Sequence, residues 1–162
     1  MPLKEDEPSG AIADLASQWK LENGIGFLLR LLEAKYDALY QSVTKQTDIT
    51  PRQFGVLMAL LQEGPLTAAA LADRISCDRN TLSEMLKRMA ERKLIWKKNN
   101  PDDRRSIQVG ITVKGRNALI AVVPAAARLQ DLMLAPLSPE DRAHFLRCML
   151  VIAKSSPRTA KS

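Results

Sequence analysis

The chain has 162 residues and a formal net charge of +6, and its composition is 46% hydrophobic but only 4% aromatic. Two cysteines and one histidine cannot supply the four nitrogen and sulfur ligands of a zinc site, and no Ser/His/Asp set or glycine-rich phosphate loop is present. We therefore predict no metal site, no cofactor and no enzymatic activity. The lack of an apolar run of about 18 residues argues against a membrane span.

The N-terminal part of the chain is predicted to be helical after a disordered lead-in. Residues 1–10 are acidic and contain no secretory signal, so we expect a cytoplasmic protein whose two cysteines stay reduced. From about Ala11 to Thr44, apolar residues recur with helical spacing. Gly24 and Gly26 each cost about 1 kcal/mol relative to alanine in a helix interior, which predicts a break near the middle of this segment.

A second helix is predicted to begin after Thr50. The segment 50–53 (TPRQ) fits a capping box with proline at the first helical position. Ile49 and Phe54 occupy the two positions of a hydrophobic staple, and the Gly-Pro pair at 64–65 ends the helix. The side of this helix predicted to be buried carries Phe54, Leu57, Met58 and Leu61.

Two short helices are predicted next, joined by a tight turn. Thr67 is placed to cap a helix over residues 68–75, and Asp78 to cap a helix from Arg79 to about Arg92. In the latter helix, apolar residues at spacings of three and four are predicted to face the core: Leu82, Met85, Leu86 and Met89. The opposite side carries Asn80, Ser83, Glu84, Lys87 and Glu91, with Arg79 and Arg88 at its margins.

The rest of the chain is predicted to form a β-hairpin and two more helices. Residues 94–98 and 107–112 are short strand candidates on either side of the turn-rich segment 99–106. Thr112 is placed to cap a helix that runs to about Leu134, and Pro124 inside it predicts a kink. Ser138 opens a last helix, whose apolar side carries Phe145, Leu146, Met149, Leu150 and Ile152.

The net charge is concentrated in one segment. Residues 76–116 contain eleven Lys/Arg and five Asp/Glu, whereas the rest of the chain contains thirteen of each. This segment coincides with the second short helix, the hairpin and the start of the next helix. A surplus of positive charge confined to such a unit indicates a polyanionic partner, with nucleic acid as the leading candidate.

The order of predicted elements describes a winged helix-turn-helix. The predicted fold class is mainly α (α+β), because two short helices and a β-hairpin are set among longer helices. The second short helix has the shape and polar side chains to enter the major groove of DNA, which is about 12 Å wide. Arg104 and Arg105 at the tip of the hairpin are suited to phosphates or to a narrow minor groove.

Three segments also resemble a known family. Residues 71–83 (LADRISCDRNTLS), 100–106 (NPDDRRS) and 111–115 (ITVKG) are similar to the MarR family of bacterial transcription regulators. The resemblance covers roughly residues 27–154. It implies symmetric dimers held by N- and C-terminal dimerisation helices, which usually repress transcription and are often released from DNA by small aromatic acids. The segment 11–26 extends beyond the shared region, as an added assembly helix.

The resemblance implies a division of the chain and a set of DNA-binding residues. Residues 11–48 would hold the N-terminal dimerisation region, 49–112 the DNA-binding lobe and 113–154 the C-terminal dimerisation helices, followed by a tail at 155–162. The DNA-binding candidates on the recognition helix and the wing are Arg79, Asn80, Thr81, Ser83, Glu84, Lys87, Arg88, Lys98, Asp103, Arg104 and Arg105. Two alternatives stay open: the wing arginines brace the hairpin through its aspartates, and Glu84 pairs with Arg88 rather than accepting from cytosine.

The position of a small-molecule effector is less defined by the sequence. An anionic aromatic ligand needs aromatic walls and a cation, and the candidates are Trp19, Phe27, Tyr36, Tyr40, Arg30, Arg52 and Arg128. The two tyrosines alternatively pack only against their own helix. Cys77, just before the recognition helix, is either a small buried apolar residue or a redox sensor in a regulator of the same fold. A further alternative is an architectural protein that binds DNA without sequence preference.

Overall fold

The computed structural model describes residues 10–44, 47–99 and 106–155. Within these ranges the helices are α1 (Gly10–Gln18), α2 (Ile25–Val43), α3 (Pro51–Glu63), α4 (Ala68–Arg74), α5 (Arg79–Glu91), α6 (Val113–Leu134) and α7 (Pro139–Lys154). The strands are β1 (Leu66–Thr67), β2 (Ile95–Asn99) and β3 (Ile107–Ile111). The predicted fold class is therefore confirmed: the chain is mainly helical and contains a helix-turn-helix followed by a two-stranded wing.

The break predicted in the first helical segment is present. α1 ends at Gln18, a short 3-10 helix covers Leu21–Asn23, and α2 begins after Gly24. A Cβ atom at Gly24 would lie 3.1 Å from the carbonyl oxygen of Leu21, so the close approach of this turn favours glycine. The break makes α1 a separate short helix.

The start of α3 confirms the capping box. The main-chain nitrogen of Gln53 donates to Thr50 Oγ1 at 3.3 Å, and the nitrogen of Thr50 donates to Gln53 Oε1 at 3.2 Å. The predicted buried side needs one correction, because Leu61 is 36% exposed whereas Val56 and Leu60 are buried. The buried face of α3 is centred on these two residues, and Leu61, about 100° further around the helix than Leu60, lies at its margin.

The hairpin belongs to a three-stranded antiparallel sheet in the order β1-β3-β2. Leu66 of β1 pairs with Val109 of β3, and Trp96 of β2 pairs with Gly110. β1 was not predicted, since a strand of two residues has no periodicity to detect. The strand joins the start of the helix-turn-helix to the wing, so the two parts of the lobe share one sheet and one core.

The core of the lobe lies between α3, α4, α5, the sheet and the first half of α6. Its fully buried side chains come from every one of these elements: Val56, Leu57, Leu60, Leu71, Leu82, Leu86, Met89, Leu94, Val109, Leu119 and Val122. All four residues predicted to form the inner face of the recognition helix are buried. This face fixes which side of α5 points to solvent.

Helix α6 runs from the lobe to the C-terminal region and packs against α2 and α3. Helix α6 continues through Pro124 without interruption. The kink expected at Pro124 stays a prediction. By length and composition alone α6 could span a membrane, but that test is passed equally by core helices of soluble proteins. Buried residues recur along it as far as Leu129 and Leu134, so one side of α6 faces its own chain.

Candidate nucleic-acid interface

Helix α5 begins with a well-formed cap. Asp78 precedes the helix, and its Oδ1 accepts a hydrogen bond of 2.8 Å from the main-chain nitrogen of Thr81. The hydrogen bonds from Thr81 hold the pKa of Asp78 below its ordinary value, because they favour the charged carboxylate. The cap therefore fixes the residue at which the recognition helix starts and the direction in which its first turn points.

The two faces of α5 are sharply divided. Leu82, Met85, Leu86 and Met89 are buried, whereas six of the seven DNA-binding candidates on the helix are exposed: Arg79, Asn80, Ser83, Glu84, Lys87 and Arg88. The seventh, Thr81, is half-buried. The polar face thus carries, along the full length of the helix, side chains that can donate to phosphates and can donate to or accept from base edges.

The cations of this face are not engaged in ion pairs within the part of the chain that the structure describes. There, Arg79, Lys87 and Arg88 form no ion pair, and the one ion pair joins Arg74 to Glu63 outside α5. Glu84 and Arg88 therefore do not form the i,i+4 ion pair that was one of the two hypotheses for the role of Glu84. These cations are consequently available to phosphates.

The turn between α4 and α5 is closed by a Schellman motif. Ser76 has a positive φ of 51°, and its main-chain nitrogen donates to the carbonyl oxygen of Asp73 at 3.3 Å. The main-chain nitrogen of Cys77 donates to the carbonyl oxygen of Ala72 at 2.9 Å. Cys77 is half-buried and packs against the core, at the position where this motif usually has an apolar contact. This placement is consistent with the hypothesis that Cys77 serves as a small apolar residue. The redox role of Cys77 stays a hypothesis.

The wing places its two lysines on opposite faces. Because side chains alternate along a strand, Lys97 lies on the side of the buried Ile95, whereas Lys98 lies on the side of Trp96. Lys97 lines a cleft together with Arg79 and Ser83 of α5. Lys97 was not among the predicted DNA-binding residues. The alternation of side chains along the strand from Ile95 could have indicated that Lys97 and Lys98 lie on opposite faces.

Lys98, which was predicted to bind DNA, contacts an aromatic ring. Its Nζ lies 5.1 Å from the ring centroid of Trp96, a distance typical of a cation–π contact. The indole ring in turn covers Gly110, where a Cβ atom would lie 2.2 Å from the ring. The predicted wing-tip residues Asp103, Arg104 and Arg105 lie outside the described residues, as do most of the lead-in and the tail.

The segment 111–115 (ITVKG) joins the wing to α6. Thr112 Oγ1 accepts a hydrogen bond of 3.0 Å from the nitrogen of Gly115 and donates one of 2.7 Å to the carbonyl oxygen of Lys93. A Cβ atom at Gly115 would lie 1.9 Å from the carbonyl oxygen of Leu94, so this position requires glycine. The segment thereby attaches the start of α6 to the residues that follow the recognition helix.

Comparison with known proteins places this arrangement in a family. The model of the MarR family matches residues 49–107, which span α3, the helix-turn-helix and β2. A probable transcriptional regulator from Pseudomonas aeruginosa is 30% identical, with a TM-score of 0.73 over 83% of this chain and 99% of the other. The chain belongs to the MarR family. The predicted resemblance is confirmed, and the protein is a transcription regulator of a DNA-binding family.

Two further MarR-like proteins are similar along most of their length. The transcriptional repressor NicR of Pseudomonas putida is 29% identical over 143 residues, which cover 88% of this chain and 90% of NicR. BpsR of Bordetella bronchiseptica, whose DNA binding is regulated by 6-hydroxynicotinic acid, is 25% identical with a TM-score of 0.81, over 85% of this chain and 99% of BpsR. The likeness thus extends beyond the DNA-binding lobe into the long helices.

The structure of this MarR-family chain separates the seven predicted ligand-binding residues. Trp19, Phe27 and Arg30 lie at or just before the start of α2, and Arg128 is exposed on α6. Arg52 lines a cleft between α3 and the turn before α5, whereas Tyr40 lines a different cleft at the end of α2. Arg52 and Tyr40 of this set therefore line different clefts of the protomer.

The two tyrosines of the set pack against each other. The rings of Tyr36 and Tyr40 stack with their centroids 6.2 Å apart, and the buried Tyr40 donates its hydroxyl hydrogen to the carbonyl oxygen of Ile49. Burial raises the pKa of both phenols, with a smaller contribution from Asp37 for Tyr36 and from Tyr36 for Tyr40. These contacts support the packing alternative for Tyr40, whose polar atom already has a partner.

Proposed function

We propose that this regulator is a homodimeric repressor that binds a pseudo-palindromic operator and is released from it by a small aromatic carboxylate. The observation that carries the DNA-binding part is the exposed, cationic polar face of α5 beside the lysines of the wing. In this proposal α5 enters the major groove and the wing follows the adjacent backbone. Transcription regulation from the cytoplasm is the setting that fits the family.

The proposal assigns different tasks to the side chains of the interface. Lys87, Arg88 and the wing lysines contact phosphates, which give affinity that depends on salt. Asn80, Ser83 and Glu84 read base edges, because their amide, hydroxyl and carboxylate groups match donors and acceptors in the major groove. Arg79 lies at the first turn, where it reaches either a phosphate or a guanine. The wing-tip residues Asp103, Arg104 and Arg105 are proposed to reach the neighbouring minor groove, with Asp103 holding the tip in shape.

A second copy of the chain is needed to cover apolar surface outside the lobe. Trp19, Ile25 and Ile152 are 66%, 67% and 68% exposed, and none of the described residues of α7 is buried. Further exposed apolar residues line α2, α6 and α7: Leu29, Leu31, Ile120, Leu146, Leu150 and Val151. Monomeric soluble proteins rarely expose such continuous apolar surface. A symmetric dimer through these helices would bury it, and two α5 helices that enter major grooves one helical turn apart would have to lie about 34 Å apart.

Comparison with BpsR supports the class of effector. 6-Hydroxynicotinic acid, which regulates DNA binding by BpsR, is a small N-heteroaromatic carboxylate. In this chain Trp19 lies before the 3-10 helix, and Phe27 and Arg30 lie in the first turns of α2, so that aromatic surface and a cation are close in sequence. We propose that they form a pocket completed by the dimer, in which a bound acid favours a spacing of the lobes that does not fit DNA. Such a switch requires the acid to bind the released form more tightly than the DNA-bound form.

The proposal is tested by selecting duplexes from a random pool with the purified protein and measuring their affinity by fluorescence anisotropy. A sequence-specific regulator should bind a selected duplex roughly a thousandfold more tightly than shuffled DNA. The selected sequence should be pseudo-palindromic, and 6-hydroxynicotinic acid or a related aromatic acid should weaken binding. Equal affinity for selected and shuffled duplexes would instead support the architectural alternative, and a monomer in sedimentation would contradict the dimer.

A further inference from the structure

The C-terminal end of the recognition helix is in contact with three other parts of the chain. Helix α5 ends at Glu91, and Arg92 is its C-cap residue. The side chain of Arg92 extends to the start of α3, and its carbonyl oxygen accepts a hydrogen bond from α6. Arg92 was not among the predicted site residues, because its partners are far away in the sequence.

The guanidinium of Arg92 binds the segment that connects α2 to α3. Its Nη1 donates to the carbonyl oxygen of Asp48 at 2.8 Å and lies 3.5 Å from Gln53 Oε1. Gln53 is the side chain that closes the capping box of α3. Since one acceptor belongs to the main chain and the other is held by a cap, Arg92 contacts groups whose positions are fixed.

The connecting segment is also held from the side of α2. The hydroxyl of Tyr40 donates to the carbonyl oxygen of Ile49, and both residues are buried. Asp48 and Ile49 are therefore held between α2 on one side and the end of α5 on the other. A cleft lined by Tyr40, Asp48 and Arg92 runs along this contact.

The main chain of Arg92 is held from a third direction. Lys114, in the first turn of α6, donates from Nζ to the carbonyl oxygen of Arg92 at 2.9 Å. Lys114 thus joins α6 directly to the end of α5, whereas α2 is joined to it through the segment that Tyr40 and Arg92 both contact. Other restraints on α5 are the four apolar side chains of its inner face, the turn that joins it to α4, and the bond from Thr112 Oγ1 to the carbonyl oxygen of Lys93. Apolar packing is not directional, so the polar contacts at the two ends of α5 set its direction.

We propose that Arg92 is a positioning residue, whose side chain sets the direction of the recognition helix relative to the segment that connects α2 to α3. Without it, α5 keeps its core packing but samples orientations in which its polar face does not fit the groove. The apparent operator affinity then falls in proportion to the population of the competent orientation. This inference rests on the proposed DNA-binding function and adds a residue that joins the end of the recognition helix to the segment held by α2.

The alternative role for an arginine at this place is a direct contact with a phosphate. Arg92 is half-buried and its Nη1 is already engaged by Asp48. A phosphate contact contributes to the salt dependence of binding, so its loss lowers the slope of log K against log salt by about one. A positioning residue changes the affinity and leaves this slope unchanged.

The test compares Arg92→Ala and Arg92→Lys with the matched control Arg142→Ala. Arg142 also donates to main-chain carbonyl oxygens, those of Leu137 and Ala135, but it lies in α7, outside the lobe. The control therefore removes the same charge and the same kind of hydrogen bond. We expect Arg92→Ala to bind the selected duplex about tenfold more weakly with the wild-type salt slope, and Arg92→Lys to recover most of the affinity. Circular dichroism checks that each variant is folded.

Hydrogen exchange of the DNA-free protein provides a second readout. In Arg92→Ala, amides of the last turn of α5 and of residues 47–53 should both exchange faster, by about tenfold. Arg142→Ala should leave both segments unchanged. A salt slope lowered by about one, an affinity equal to that of the control, or unchanged exchange in the two segments would each overturn the inference. If the wild-type protein bound no duplex, the proposed function would fail, and the exchange data would still decide whether Arg92 holds α5.

Discussion

Lys114 Nζ lies 2.9 Å from the carbonyl oxygen of Arg92, so the first turn of α6 caps the last turn of the recognition helix. The last carbonyl oxygens of a helix have no partner within the helix, and a cation there also interacts favourably with the helix dipole. The bond therefore stabilises the end of α5 and, in the same contact, attaches it to a long helix that continues beyond the lobe.

The first prediction concerns this bond. Lys114→Met should lower the free energy of unfolding by about 1 kcal/mol, because it removes a charge-assisted hydrogen bond at an exposed site. Lys114→Arg should retain most of the stability, since arginine can donate to the same oxygen. Urea denaturation followed by circular dichroism measures the difference, with Lys154→Met as the control for loss of charge. Equal midpoints for the two methionine variants would contradict the prediction.

A second prediction compares two helical glycines. Gly115→Ala should be severely destabilising, by roughly 3 kcal/mol or more, because the new methyl group would lie 1.9 Å from the carbonyl oxygen of Leu94. Gly55→Ala in α3 should instead stabilise by about 0.5–1 kcal/mol, since its nearest neighbour would be Ile75 Cγ2 at 4.0 Å. Thermal unfolding of both variants tests the pair. A tolerated alanine at position 115 would mean that α6 can move away from the wing at little cost.

A third prediction concerns the residue after the recognition helix. Lys93 has a positive φ of 60°, a conformation that is unfavourable for a residue with a side chain. Lys93→Gly should therefore raise the free energy of unfolding by about 0.5–1 kcal/mol. Lys93→Ala removes the same charge but keeps the strained backbone, so it should give no such gain. Chemical denaturation of both variants separates the conformational effect from the electrostatic one.

A fourth prediction addresses the phosphate-binding role proposed for Lys87. Lys87→Ala should weaken binding to selected and shuffled duplexes alike and lower the slope of log K against log salt by about one. The slope is measured by titrations at several salt concentrations. Lys154→Ala on α7 serves as the control for a lost charge. An unchanged slope in Lys87→Ala would remove this residue from the phosphate contacts.

A fifth prediction addresses base reading by Asn80. Asn80→Ala should relax the sequence preference at one position of each half-site, at a cost of about 1–3 kcal/mol for the preferred base only. Selection of duplexes by the variant, compared with selection by the wild type, identifies that position. Equal loss of affinity on every sequence would show that Asn80 contacts the backbone of DNA instead.

The helix boundaries and the polar face of α5 follow from the sequence because they depend on local interactions. Thr50, Asp78, Thr112 and Ser138 each cap the predicted helix through a side chain that acts within three residues. The inner face of α5 follows from spacings of three and four, and the segment similarities identify the MarR family. Each of these signals depends on residues that are close to one another in the sequence.

Tertiary structure alone decided the features that depend on contacts between distant segments. Leu61 has the spacing of a buried residue, yet the direction from which the core packs on α3 leaves it exposed. β1 exists only because Leu66 pairs with Val109, and Arg92 reaches Asp48 across 44 positions in the sequence. Local sequence patterns indicate which side chains avoid water or cap a helix. How the whole chain folds together decides which partner each side chain contacts.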